Sequence, residues 1–342
     1  MAATKGEGGA GYVRQGLQDY FGTLMTLSEA SVHQHFDAFA DIDWDDPDFA
    51  VDLNDERWIL GDDDPLGRHA WYKALSKERK IYVGAYRWAQ ICKVGLEFEG
   101  LLIGGIMFHN LWLENGNPEF RYATHEATEE THHTQMFQEF VNRTGMDPAG
   151  SPVWFKRVVP VLASFATFLP EWFWVGVLAG EEPIDHMQKH LLRERENVHP
   201  MLERILAIHV AEEARHIGFA HAYLGQHVPE LGPVRKAAMG VMFPVIMRMV
   251  ADVIMKPSKQ AQADMGIPDE VMKELWWDAP TSEEFLGDLF SDVRMLATDL
   301  GLRSGRAARF AWRLMRIDGI PARFRGEPSS ASRRSRAFRA HA

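Results

Sequence analysis

Residues 200–227 read PMLERILAIHVAEEARHIGFAHAYLGQH, and within them His209, Glu213 and His216 stand at i, i+4 and i+7. That spacing lays the three side chains down one face of an α-helix. Pro200 suits the first turn of such a helix, and apolar residues recur at helical period around the stripe. Two imidazoles and a carboxylate in line on an apolar helix are costly to bury unless other helices bring them partners. The stretch therefore asks for a helical fold with a polar centre.

Outward from there the pattern stays helical from Ala70 to about Pro257, with no run of alternating strand residues. Helices are expected at 72–111, 119–144, 153–168, 171–195, 200–227 and 232–256. Breaks are expected at Asn115-Gly116-Asn117-Pro118, at Gly145 to Pro152, and at Pro200 and Pro229. Thr281-Ser-Glu-Glu284 reads as a capping box before a later helix. The fold class is all-α.

A second Glu-x-x-His element, Glu130-Thr-His-His133, matches Glu213-Ala-Arg-His216, and at i, i+3 each pair shares a helix face. Glu99 lies in the apolar run LEFEGLLIGGIM, and Glu182 follows FWVGVLAGE. Glu99 precedes Glu130 by 31 residues, and Glu182 precedes Glu213 by 31. Two copies of a helical hairpin, each with a lone Glu on its first helix and Glu-x-x-His on its second, would give that equality. The arrangement is that of a di-metal carboxylate bundle. The neighbours Glu97 and Glu181 give 33 and 32, so Glu99 and Glu182 are preferred, with the neighbours as alternatives. A third match, Glu196-Asn-Val-His199, ends at a helix start before Pro200 and reads as structural.

The candidate ligands are thus Glu99, Glu130, His133, Glu182, His209, Glu213 and His216. Four carboxylates and three imidazoles without sulfur suit two iron ions, with manganese equally acceptable to the donors. Glu129 and Glu212, each just before a Glu-x-x-His glutamate, are placed to accept hydrogen bonds from the far N–H of the opposing histidines. Glu126, one turn before Glu130, is a further supporting candidate, and Arg215 is expected to pair with an acidic neighbour.

The order Glu99, Glu130-x-x-His133, Glu182, His209-x-x-x-Glu213-x-x-His216 resembles the p-aminobenzoate N-oxygenase family, non-haem di-iron arylamine oxygenases on a ferritin-like helical fold. Its distinguishing feature is the extra histidine one turn before the second Glu-x-x-His, which His209 matches. The resemblance covers residues 90 to 230 well. It implies a monooxygenase with O2 as co-substrate, a small organic substrate such as an arylamine carried to hydroxylamine and nitro products, an external electron donor or reductase, and a homodimer. A di-iron desaturase or hydroxylase of an acyl or aliphatic substrate would share the pattern without needing His209. A ferritin-like iron-binding protein would need few helices beyond four. Phe98, Met107, Phe137, Phe165, Phe168, Trp172, Phe173 and Trp174 could furnish an apolar wall beside the metals.

Composition bounds the remaining classes. The chain has 342 residues, 46% of them apolar, enough for a large core. Its single cysteine, Cys92, excludes a disulfide framework and cysteine-rich metal sites and suits a reduced compartment. The start MAATKGEGGAGY has no basic and apolar leader pattern, so a cytoplasmic protein is expected. Eleven arginines against Asp318 and Glu327 give residues 303–342 a balance of +9, which from a total of −11 leaves −20 in residues 1–302. So acidic a body repels a phosphate backbone, and no nucleic acid partner is expected.

No transmembrane segment is expected: Val158 to Gly180 is interrupted by Pro160, Pro170 and Glu171 and reads as a buried helix pair. Residues 1–69 are read as an extension wrapping the body, disordered at its Gly-rich start. Its acidic stretch 36–65 should dock Trp44, Phe49 and Trp58, and Asp43-x-Asp45 lacks the later residues of a calcium loop. Residues 70–320 form the ferritin-like domain with extra helices, and 321–342 a basic, disordered tail.

Overall fold

Proline and glycine punctuate the chain where the helices begin and end. A computed structural model describes residues 7–62, 64–194, 198–275, 287 and 289–327, and among these there is no strand. In chain order the first helices are α1 (Glu7–His33), the single turns α2 (Pro65–Arg68) and α3 (Ala70–Lys73), α4 (Lys77–Asn110), α5 (Pro118–Thr144) and α6 (Val153–Phe168). Then come α7 (Pro170–Glu194), α8 (Pro200–His227), α9 (Pro233–Met255), α10 (Lys259–Met265), α11 (Asp269–Lys273), α12 (Ser291–Asp299) and α13 (Arg306–Leu314). The capping box at Thr281–Glu284, Glu196 and residues 328–342 lie outside the described residues.

Local chemistry sets these limits. The Ser76 hydroxyl accepts from Arg79 N–H at the start of α4, and Asn117 accepts from Glu119 N–H before Pro118 opens α5. Gly145 closes α5 at φ 65°, in the left-handed region that glycine enters freely. The α4–α5 and α7–α8 hairpins pack together as the central bundle, α1 lies on α5 and α8, and α6 lies on α4 and α7.

α1 starts at Glu7, so a helix stands where the Gly-rich start was expected to lack structure. Its buried Tyr20, Leu24, Ser28 and Ser31 recur on one face, and tertiary packing overrides the poor propensity of the glycines. The acidic stretch buries Trp44 and Trp58 as expected, with Phe49 half-buried. Its aspartates work as caps: Asp46, Asp55 and Asp64 each accept a backbone N–H at the start of a short helical turn. Gly84 on α4 lies so close under the Trp58 carbonyl that a Cβ would collide with it.

The expected buried helix pair is half corrected. The chain breaks at Leu169 into α6 and α7, but α6 buries only Phe155, Ala163 and Ala166 and turns an apolar face to solvent. Among the described residues one segment, 233–265, is long and apolar enough to cross a membrane, and half of its most apolar stretch is buried inside the protein. α13 docks on α9 through Ala308, Ala311 and Trp312.

Candidate metal centre

The four central helices each turn charge inward. From α5 come Glu130 and His133, from α8 His209, Glu213 and His216, from α4 Glu99, and all six are buried. Glu130, His133, Glu213 and His216 present ligand atoms within 4.8 Å of one another, and so do Glu99, His133 and His209. The cluster has two halves sharing His133.

Two carboxylates join the halves. Glu130 Oε2 lies 3.0 Å from His133 Nδ1, and its Oε1 lies 2.7 Å from His216 Nδ1. Glu213 Oε1 lies 3.4 Å from His209 Nε2, 3.4 Å from His216 Nδ1 and 3.6 Å from His133 Nδ1. Glu99 Oε1 is 3.6 Å from His209 Nε2. Glu97, its alternative, faces away and accepts from Ser151 N–H at 2.8 Å.

The far side of each imidazole is held as well. His133 on α5 donates through Nε2 to Glu212 on α8 at 2.8 Å, and His216 on α8 donates through Nε2 to Glu129 on α5 at 2.8 Å. This crosswise exchange is the arrangement expected of Glu129 and Glu212 from sequence. It turns both Nδ1 atoms toward the centre. Arg215 pairs with Glu129 at 2.9 Å and reaches Glu212 at 3.5 Å, while the Phe36 N–H donates to Glu212.

His209 is turned the other way round. Its Nδ1 donates to the Gln188 side-chain carbonyl at 2.9 Å, leaving Nε2 toward Glu99 and Glu213. Gln188 was not among the sequence candidates. It lies on α7 one and two turns after Ile184 and Glu181, along one stripe.

That stripe decides between Glu181 and Glu182. Glu181 is buried, with neither oxygen hydrogen-bonded, and it feels the charges of Glu213, Glu126, His216 and Glu130. Glu182 points elsewhere, accepting from His221 Nε2 at 3.1 Å in a polar chamber with Asp185 and Asp292. The preference for Glu182 is therefore not what the fold brings to the centre. The equal interval counted across a turn, but a helix's own phase sets which side chain faces in, and Glu182 shares its stripe with Asp185, Lys189 and Arg193. Glu126, fully buried, also has both oxygens without a hydrogen bond beside this half. His199, from the third match, stacks on Trp58 at 4.2 Å and has a structural place.

So many acids in one dry space cannot all be ionised alone. Burial raises the Glu99, Glu126 and Glu181 carboxyls well above the usual range. For Glu130 burial pushes the same way, but His133 and His216 together hold it well below. Burial would lower His133 and His216, yet Glu130 and its neighbours carry both well above. His209 is dominated by burial and falls to about 4, a neutral imidazole at ordinary pH.

Beside Glu99, Glu181 and His209 lies an apolar pocket lined by Ile91, Phe98, Phe137, Leu206 and Ile254. Of the expected wall residues only Phe98 and Phe137 line it. Gly180 makes room there, since a Cβ would strike the Phe98 ring. Met107 and Phe168 are exposed, and Trp174 packs between Phe219 and Tyr223 away from the pocket.

The family model for p-aminobenzoate N-oxygenase (AurF) matches residues 17–301. The chain belongs to this family. It is a ferritin-like di-iron oxygenase family, and the all-helical fold of the described residues is consistent with it. The chain is also similar to an uncharacterized protein of Mycobacterium tuberculosis and to one of Mycobacterium bovis, each 50% identical over 310 residues, 91% of this chain and 91% of the relative. No solved structure matches significantly.

The residues present fit the metal pair that the family implies. Both Glu213 oxygens and His209 Nε2 are buried without a hydrogen-bond partner, and they face the imidazoles of His133 and His216 and the Glu99 carboxyl. Orphaned polar atoms of this kind are otherwise a net cost to folding. Carboxylate and imidazole without thiolate suit first-row divalent ions.

Proposed function

We propose that the protein is an O2-dependent di-iron monooxygenase that oxidises a small organic amine, with an arylamine as the first candidate. The single observation that carries this reading is the pair of Glu-x-x-His elements bridged through Glu130 and Glu213, with His209 added. In this reading Glu99, Glu130, His133, Glu181, His209, Glu213 and His216 would hold the two ions. Bound iron would supply O2 activation and oxygen transfer; the donors would accept manganese as well. Conversion of an amine to its hydroxylamine consumes O2, two electrons and two protons and releases water. An external reductant is therefore part of the proposal, and a cytoplasmic setting would provide it.

The chain's own residues define what surrounds the reaction. Glu129, Glu212 and Gln188 fix the three imidazole rings, so their inward nitrogens are presented without rearrangement. Phe98, Phe137 and Leu206 give an apolar lining beside Glu99 and His209, the kind of surface that keeps water from a reactive oxidant. An aromatic ring suits these apolar neighbours chemically, and its amino group is the part that would face the carboxylates.

The experiment is anaerobic loading with ferrous iron, removal of loose metal, and exposure to O2 with a reductant and a panel of arylamines and aliphatic amines. About two irons per chain and oxygenated arylamine products are expected. Oxidation at carbon in the aliphatic chains alone would favour the desaturase or hydroxylase reading, and absence of bound iron would remove both.

A further inference from the structure

A second cavity lies on the other side of α7. The stripe that turns away from Glu181 and Gln188 carries Glu182, Asp185, Lys189 and Arg193, and with α8, α12 and residues 325–327 it encloses a polar chamber of about 180 Å³. That is room for a small molecule rather than for a single bound water. The chamber shares no residue with the apolar pocket beside Glu99.

Its charges are layered by depth. Glu182, Asp185, Asp292 and Glu327 are buried, whereas Lys189 is half-buried and Arg193 and Arg325 are exposed. An acidic floor thus lies under a basic rim. Glu182 accepts from His221 at 3.1 Å, and Glu327 pairs with Arg323 at 2.6 Å. The other two acids are only half satisfied. Asp185 gives Oδ2 to Lys189 at 2.6 Å and Asp292 gives Oδ2 to the Gly326 N–H at 2.6 Å, but Oδ1 of each is buried without a hydrogen-bond partner. Both residues are 6% exposed, and burial lifts both carboxyls to about 6. Buried carboxylate oxygens left open on a cavity wall are costly unless a donor meets them.

These atoms say what that donor is. Among the described residues no three carboxylate or imidazole donors of the chamber lie within 4.8 Å of one another, so the floor does not suit one metal ion. An ammonium group brings three N–H donors and a positive charge to the open oxygens. The guanidinium groups of the rim suit a carboxylate in turn. The lining has no Phe, Tyr or Trp, which favours an aliphatic chain between the two charges.

We propose that the chamber binds an aliphatic amino acid, its ammonium group at Asp185 and Asp292 and its carboxylate at Arg193 and Arg325. The occupant rests against α8 at Ala214 and Ile217, each one residue beyond an inward-facing group, Glu213 and His216. The site does not depend on the oxygenase reading.

Calorimetric titration of the full chain with straight-chain ω-amino acids, from β-alanine to 6-aminohexanoate, is expected to find at least one with Kd below about 1 mM. The matched alkylamine and alkanoate should each bind at least about tenfold more weakly, since each lacks one charge. Affinity should be the same with and without ferrous iron under anaerobic conditions. Asp185→Asn and Asp292→Asn, the second keeping an acceptor for the Gly326 N–H, should each weaken binding about 10- to 100-fold. Arg193→Glu, at an exposed position, should weaken it too, and helical circular dichroism reports that each variant folds. Aniline, a probe of the apolar pocket, should not compete. No binding in the whole series, an alkylamine that binds equally well, displacement by aniline, or unaltered affinity in the folded variants would each overturn the proposal.

Discussion

Glu181 and Glu182 stand side by side on α7 and face different chemistry, one the buried cluster and the other His221. Removing each in turn separates helix phase from sequence interval. Glu181→Ala is expected to lower iron from about two per chain toward one, measured after chelator washing, while Glu182→Ala keeps near the wild-type content. Loss confined to Glu182→Ala would restore the interval-based choice. The Gln188 amide sets the His209 ring, so Gln188→Leu should weaken iron binding by about 10- to 100-fold, the usual effect of losing a partner behind a ligand. Glu130, His133, Glu213 and His216 were legible in sequence because i, i+3 spacing is enforced by one helix, and His209 for the same reason. Glu212 and Glu129 were legible as their immediate neighbours. Glu181 was legible only as the alternative to Glu182, since the relation between α7 and α8 depends on packing; the signal that favours it is the stripe Glu181, Ile184, Gln188 against the polar stripe Glu182, Asp185, Lys189.

At the scale of elements, one buried carboxylate ties four helices together. Glu119 on α5 accepts from Tyr20 of α1 at 2.9 Å, from His109 of α4 at 3.3 Å and from His227 of α8 at 3.3 Å. Burial opposes its ionisation, but these hydrogen bonds, with the His227 charge, bring its pKa down to about 2. A carboxyl depressed in the folded state contributes stability that is present above its unfolded value near 4.5 and is lost as pH falls through about 2. Urea unfolding should show wild type exceeding Glu119→Gln by on the order of 2 kcal/mol at pH 7, with the gap closing between pH 4.5 and 2. A gap that does not change over that window would show the carboxylate's charge to be irrelevant. Tyr20→Phe should cost about 1 kcal/mol at pH 7. The helices on either side of this knot could mostly be placed from sequence to within a residue or two, because Pro118, Gly145 and Pro200 announce the ends; α4 was expected from 72 but starts at Lys77, where the Ser76 hydroxyl caps it after the separate turn α3. α1 was missed: its glycines suppress the local signal, and only the recurrence of Tyr20, Leu24, Ser28 and Ser31 betrays a face that tertiary contacts hold.

For the whole molecule the question is where the folded body ends. Composition reads 321–342 as one loose basic tail, yet residues 321–327 are bound to the body at several points. The Ala322 N–H donates to the Ser291 carbonyl at 3.0 Å, the Gly326 N–H to Asp292 at 2.6 Å, and Arg325 to the Ala214 carbonyl at 3.2 Å, with Glu327 buried. These are mostly main-chain anchors, which side-chain composition does not announce. Ala214 directly follows Glu213, so the segment lies over the back of a helix that carries three of the inward-facing groups. Truncation after Glu327 is expected to leave both iron content and melting temperature unchanged. Truncation after Ile320 removes these bonds, about 1 kcal/mol each, and should lower the melting temperature by several degrees. Iron is expected to persist, because no ligand candidate comes from the segment and the three imidazoles keep Glu129, Glu212 and Gln188 behind them. Iron lost in step with the longer truncation alone would instead make the segment a required brace for α8, and an equal fall in both truncations would extend the folded body past Glu327.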